Sequence, residues 1–276
     1  MSTINYFVYR WPFTVSESNR ELETNEGSGA SANVASGDWI AEGDGSPDDL
    51  IAKFNTAVAA VYSGSGLTLP APVAALNENG TVTITGGFVA MDLDQTIPAN
   101  PFPLRALGFD DLILFIPASP GTVTGDFQAI NQWHPGIDRN FRSYRVKKYN
   151  RFSRRNLQGR PYFLVHGERN DVEIHSYDLV KGAVMFDGMA AAADYASVAG
   201  VAVGEPNTLE NMLEYAWDTG SNELYWYDSN DPSSAVRQGP VVLDPDDDVL
   251  QGLDPDSFVA SMSSSHYPVT LKLWSV

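Results

Sequence analysis

"RNFRSYRVKKYNRFSRRNLQGR", residues 139–160, carries nine of the seventeen basic residues and no acid. The other 254 residues hold eight bases against thirty-five acids. Arg139, Arg142, Arg145, Lys148, Arg151 and Arg154 recur every third position, with Phe141, Tyr144, Tyr149 and Phe152 between them. On an α-helix a period of three drifts by about 60° per step, so the charges would spiral around it. On a strand they would alternate faces. A period of three fits an extended polyproline-II-like segment. Such a segment cannot satisfy its own backbone and needs a surface to lie on. The reading is therefore an extended basic arm or long loop, 136–160, between an N-terminal domain, 1–135, and a C-terminal domain, 161–276.

The flanking halves mix strands with helices. "INYFVYRW" (4–11) is aromatic and β-branched, as strands are. Residues 17–38, rich in Ser, Asn, Glu and Gly, read as an exposed loop. Ser46 as N-cap, Pro47 at the first helical position and Asp48 and Asp49 in the first turn open a helix. Its apolar stripe is Leu50, Ile51, Phe54, Val58, Val61 and Tyr62, and Gly64 ends it. Asn79-Gly80 between apolar runs predicts a hairpin turn, with Val82 and Ile84 alternating against threonines. Asn79-Gly80-Thr81 also matches a glycosylation sequon, which the turn explains.

In the second half, "YFLVHGERNDVEIHSYDLV" (162–180) reads as two strands joined by a polar turn. Residues 186–200 read as either an alanine-rich helix or a small-residue loop, with the helix favoured. "NTLENMLEYAWDTG" (207–220) has a capping-box start at Asn207 and Glu210, and Leu209, Met212, Leu213, Ala216 and Trp217 make one face. Leu213 and Trp217 are expected to be buried against a sheet. "ELYWYD" and "YPVTLKLWSV" follow as strands. The fold class expected is α+β: two small sheet-based domains, β-sandwich-like or mixed, each with one or two packed helices and joined by the basic arm.

Composition excludes several classes. The chain has 276 residues and no cysteine, so disulfides, thiol catalysis and Cys-ligated zinc are out. No run of about 18 apolar residues exists, so no membrane span is expected. "MSTINYFVYRWPF" lacks the basic start and apolar core of a signal peptide. No nucleophile-elbow, zinc or phosphate-loop motif is present. His166 and His175 would sit on paired strands, where ordinary strand histidines explain them better than a metal site. The aspartates of 244–257 lack EF-hand spacing and read as a solvated acidic loop. The expectation is no enzyme and no cofactor.

A net charge of −18 disfavours diffuse binding to nucleic acid. Nucleic acid, with the arginines on phosphates and the aromatics stacked on bases, and a solvated basic linker are the alternatives; an acidic face on another copy meets no such conflict and is the favoured reading. The candidate interface residues are Arg139, Arg142, Arg145, Lys148, Arg151, Arg154 and Arg155. The partners expected are copies of the chain and neighbouring proteins of the same particle. A head-to-tail contact of arm and acidic face closes into a ring if the rotation allows.

Gly37 with Trp39, the helix from Pro47, the stretch Gly80 to Ile84 and Leu107-Gly108-Phe109 together resemble a pattern of tailed-bacteriophage virion proteins. "TLENMLEYAWDTGSNELYWYDSND" and "SSSHYPVTLKLWSV" are similar to siphophage tail proteins. The resemblance covers about two thirds of the chain and leaves out residues 139–160. It implies a structural subunit of the tail, at its distal end or baseplate, in a symmetric oligomer around the tail axis. It implies no catalysis, and a place in the virion after assembly in the host cytoplasm. A neck or tail-completion (connector) protein is the alternative within that class. A glycan-binding or glycan-active tip protein is the alternative outside it, with Trp39, Trp133 or Trp226 in a cleft.

Overall fold

The computed structural model describes residues 7–24, 30–64, 66, 71–86, 100–109, 121–133, 142–155, 161–180, 209–218, 223–228, 231–243 and 266–275. These residues are mostly strand, in several sheets, with few helices. The chain divides into two compact units, each discontinuous. A helix unit comprises Phe7–His134 with Tyr227–Val236. A hairpin unit comprises Met1–Tyr6, Pro135–Trp226 and Arg237–Val276.

The helix unit runs β1 (Val8–Arg10), β2 (Phe13–Val15), β3 (Glu21–Thr24), β4 (Ala30–Asn33), β5 (Gly37–Trp39), α1 (Leu50–Gly64), β6 (Val73–Leu76) and β7 (Thr81–Gly86). A 3-10 turn (Leu104–Leu107), β8 (Gly121–Gln128) and β9 (Gln132–Trp133) follow. β1 pairs with β9, β2 with β5, β3 with β4, and β6, β7 and β8 form one antiparallel sheet. The whole expected stripe of α1 is buried, with Ala57 added. It packs on Val15, Leu22, Val34, Leu76, Val82, Ile84, Phe102 and Leu107 in one core.

Two local expectations need correction. The helix does not begin at Pro47. Ser46–Asp48 form a turn closed by Asp49 N donating to Ser46 O at 3.2 Å, and Ile40 N donates to Asp48 O at 2.9 Å. The cap is Asp49. Its Oδ1 accepts from the backbone N–H of Ile51 at 2.9 Å, Gly43 at 3.1 Å and Glu42 at 3.2 Å, and its Oδ2 from that of Gly45 at 3.0 Å. One carboxylate thus satisfies donors from both the helix and the preceding loop, which Ser46 could not reach. Nor is 17–38 an exposed loop, because β3 and β4 fall within it and β5 begins in it. Leu22 and Val34 are fully buried and anchor this segment in the core. Two apolar anchors twelve residues apart are too sparse to register as a strand pattern.

The Asn79-Gly80 turn forms as expected. Gly80 has φ 82, and Asn79 Oδ1 accepts from Thr81 N at 3.1 Å. Val82 and Ile84 point into the core.

The hairpin unit holds β10 (Arg142–Arg155), β11 (Pro161–Val180), α2 (Leu209–Asp218), β12 (Leu224–Tyr227) apart from its last residue, Tyr227, β13 (Arg237–Leu243) and β14 (His266–Ser275). Its strands lie in the order β10-β11-β14-β13-β12. Val269, Leu271 and Leu273 of β14 are buried, and so are Leu209, Met212, Leu213 and Ala216 of α2, which lies against β13. The side chain of Trp217, the cap residue Asn207, the 186–200 segment and the 244–257 loop lie outside the described residues.

Candidate subunit interface

The basic segment is not a free extended arm. Residues 142–155 form β10, which pairs antiparallel with β11 from Arg142↔Ser176 to Arg155↔Pro161. The backbone finds a partner along one side within the chain, which meets half of the demand that an isolated arm leaves open. The aromatic and β-branched residues between the bases suit a strand. A strand also alternates successive positions between two faces, so neither face of β10 gathers every base.

β11 is correspondingly one strand, not two. The polar stretch read as a turn within 162–180 lies inside it, and the pairing with β10 shifts register between Tyr149 and Arg151. His166 and His175 therefore lie on one strand, and the six regular steps from Arg169 to His175 alone span about 20 Å at roughly 3.3 Å per residue, too far to share a metal ion. Among the described residues no group of His, Asp and Glu could hold a metal ion.

β14 pairs with β11 only from Val172↔Trp274 to Val180↔His266. Beyond Val172, β11 meets β10 alone among the described strands. The hairpin thus runs on as a two-stranded ribbon, Lys147–Arg155 against Pro161–Asp171, for about 30 Å. β10 is also the edge strand of the described sheet, with β11 as its one described neighbour. It carries seven bases and no acid over fourteen residues. Basic side chains on an edge discourage indiscriminate pairing with other chains.

Of the seven candidate residues, Arg142 and Arg145 have described, exposed side chains. Arg145 Nε donates to Glu173 Oε2 at 2.9 Å, so its charge is partly answered within its own sheet. With Arg145 57% exposed, that pair contributes at most about 1 kcal/mol. Lys148, Arg151, Arg154 and Arg155 stand opposite Asn170, Val165, Tyr162 and Pro161 in the ribbon, and their side chains lie outside the described set. Arg139 lies outside the described residues altogether.

Behind Glu173, His175 is fully buried and meets Trp226 edge-on at 4.9 Å. Burial pushes the His175 ring down to about 3, so it is neutral at pH 7, and its 4.0 Å approach to Glu173 Oε1 is no ion pair there. The ordinary histidine of the unfolded chain takes up a proton near pH 6.5, while the native ring resists until about pH 3. Stability from this site is complete above pH 6.5 and lost as the pH falls towards 3. Between pH 7 and pH 4, urea unfolding of the wild type should lose on the order of 3 kcal/mol more than that of His175→Leu. Equal losses in the two proteins would refute this.

Two of the tryptophans offered for a glycan cleft belong to the core, since Trp133 is 0% and Trp226 8% exposed. Trp39 is half-buried, with its Nε1 donating to Ala35 O at 2.6 Å and Lys53 over its ring at 4.7 Å.

The sequence reading missed a buried charged cluster in the helix unit. Arg10 is 1% exposed and lies over the Tyr227 ring at 4.4 Å. Tyr227 Oη donates to Glu42 Oε1, and Ser46 Oγ donates to Glu42 Oε2 at 2.9 Å. Burial pulls the Arg10 guanidinium below its ordinary range, against the opposing influence of Tyr227, Glu42 and Asp49. The one sequence signal was an arginine inside an otherwise apolar strand, "FVYRW".

Among the described residues no helix is long and apolar enough to cross a membrane. Comparison with known protein families, curated proteins and solved structures finds no match to this chain.

Proposed function

We propose that the chain is a structural subunit of a bacteriophage tail, at the distal end or baseplate, that assembles into a symmetric oligomer around the tail axis. The β10–β11 hairpin is the element that carries this reading. A ribbon of about 30 Å that, among the described strands, only its own two strands form has reach beyond the paired part of its sheet. Its cationic edge, in a chain of net charge −18, favours an acidic protein surface over a polyanion. The resemblance of the sequence to tail proteins supplies the setting: copies of the same chain, neighbouring tail proteins, and a place in the virion. In this reading the two sheet-based units each keep a packed helix as scaffold, and no step of chemistry is assigned to either.

The test is assembly. The wild type should form oligomers in mass photometry, while Arg142→Glu/Arg145→Glu/Arg151→Glu should remain monomeric with an unchanged circular dichroism spectrum. Like charges would then face each other across the contact, at a cost of several kcal/mol. Antibody labelling of particles that carry the protein should decorate the tail tip. A wild type that stays monomeric at high concentration, or a triple variant that assembles normally, counts against the proposal.

A further inference from the structure

We infer that the helix unit contains an internal water site at Arg10, in which ordered water accepts hydrogen bonds from the guanidinium Nε and Nη1 and donates onward to the Glu42 carboxylate. The site lies wholly in the helix unit and does not depend on assembly. Arg10 is 1% exposed, and its Nε and Nη1 have no acceptor among the protein's own atoms. A guanidinium carries five N–H donors, one on Nε and two on each Nη, so these two nitrogens hold most of them. Buried donors are nearly always paired with protein or with ordered water, and a charged donor is the costliest to leave open.

The neighbouring acceptors are already in use. Asp49 accepts from four backbone N–H groups, about as many as a carboxylate takes. Glu42, 2% exposed, accepts from Tyr227 Oη on Oε1 and from Ser46 Oγ at 2.9 Å on Oε2. Gln132, the cross-strand neighbour of Arg10, donates its side-chain Nε2 to Gly80 O at 2.7 Å. The Tyr227 ring lies 4.4 Å from the guanidinium carbon and closes one face of its plane. Among the described residues no carboxylate forms an ion pair with Arg10, although Glu42 and Asp49 both act on its charge. Opposite charges thus face each other, buried and out of contact, which is the setting a bridging water fits.

Charge decides what occupies the site. A buried guanidinium standing alone would take an anion. Here one positive charge already faces two buried carboxylates, Glu42 and Asp49, so an added anion would enter a surround that is negative on balance. Water brings no charge. It accepts from an N–H and donates to a carboxylate, so a single molecule serves both ends of the gap. Held in this way, Arg10 on β1 is joined to the loop before α1, and through Glu42 to Tyr227.

A high-resolution crystal structure of the wild type tests this directly. Ordered water is expected at about 2.7–3.2 Å from both Nε and Nη1, with one of these waters in hydrogen-bond reach of Glu42. In solution, the Arg10 Nε proton should show a nuclear Overhauser cross-peak at the water resonance, with the sign of a long-lived contact. In Arg10→Met with Glu42→Gln the water density should be lost while the surrounding side chains keep their places. The wild-type experiments decide the matter whether or not that variant folds. Guanidinium donors found on a protein acceptor overturn the inference, as does a wild type with no water at either nitrogen or no cross-peak. Crystals soaked in bromide that show an anomalous peak beside Arg10 overturn it in favour of an anion site.

Discussion

Arg10→Ala is expected to cost about 3–5 kcal/mol, because it removes one partner from a buried charged group. Arg10 is 1% exposed and Glu42 2% exposed, and Tyr227 stands between them, its ring under the guanidinium and its hydroxyl on the carboxylate. The truncation takes away the positive charge that offsets Glu42 and opens a hole over Tyr227. The three residues come from β1, the loop before α1 and the end of β12, so the cluster ties together segments more than two hundred residues apart. A double variant, Arg10→Met with Glu42→Gln, should recover much of the loss, since no uncompensated charge then remains buried. Urea unfolding of the single and double variants measures both terms. A loss below about 1 kcal/mol for Arg10→Ala would show that the cluster contributes little.

Gly108→Ala should cost roughly 3 kcal/mol or more, for two separate reasons. Gly108 closes the 3-10 turn with φ 84, a conformation that costs an L residue about 1 kcal/mol. A Cβ there would also lie 2.1 Å from the carbonyl oxygen of Phe127 and 2.8 Å from its carbon. That oxygen belongs to β8, whose Phe127 N donates to Gly108 O at 2.9 Å, so neither backbone can retreat without breaking the other's hydrogen bond. Gly45→Ala is the control. Gly45 has φ 76, but nothing lies within 4 Å of its added Cβ, so only the conformational cost of about 1 kcal/mol applies. Equal thermal shifts for the two variants would mean that β8 yields freely.

Leu107-Gly108-Phe109 illustrates how sequence and structure share the explanation. The three letters stood out in the sequence, yet only the approach of β8 gives the reason for the glycine. Leu107 and Phe109 are buried on either side of it, which a tripeptide cannot disclose.

What the sequence determined by itself is local and periodic. The stripe of α1, the face of α2, the Asn79-Gly80 turn and the alternation of β14 are all set by neighbours within a few positions. Hydrophobic periodicity reports such elements directly. The charge contrast between residues 139–160 and the rest is likewise a property of composition, and it holds whatever the fold. What only the tertiary structure decided is pairing. A three-residue period argued against a strand with one basic face, and rightly so, but β10 does not need one. As an edge strand it pairs one side of its backbone with β11, and a strand's alternation places its bases on both faces. The same long-range pairing made β11 one strand through a polar stretch and drew β3 and β4 out of an apparent loop. It also brought Arg10, Glu42 and Tyr227 together. Each of these depends on which distant segment supplies the partner, and spacing along a chain carries no information about that.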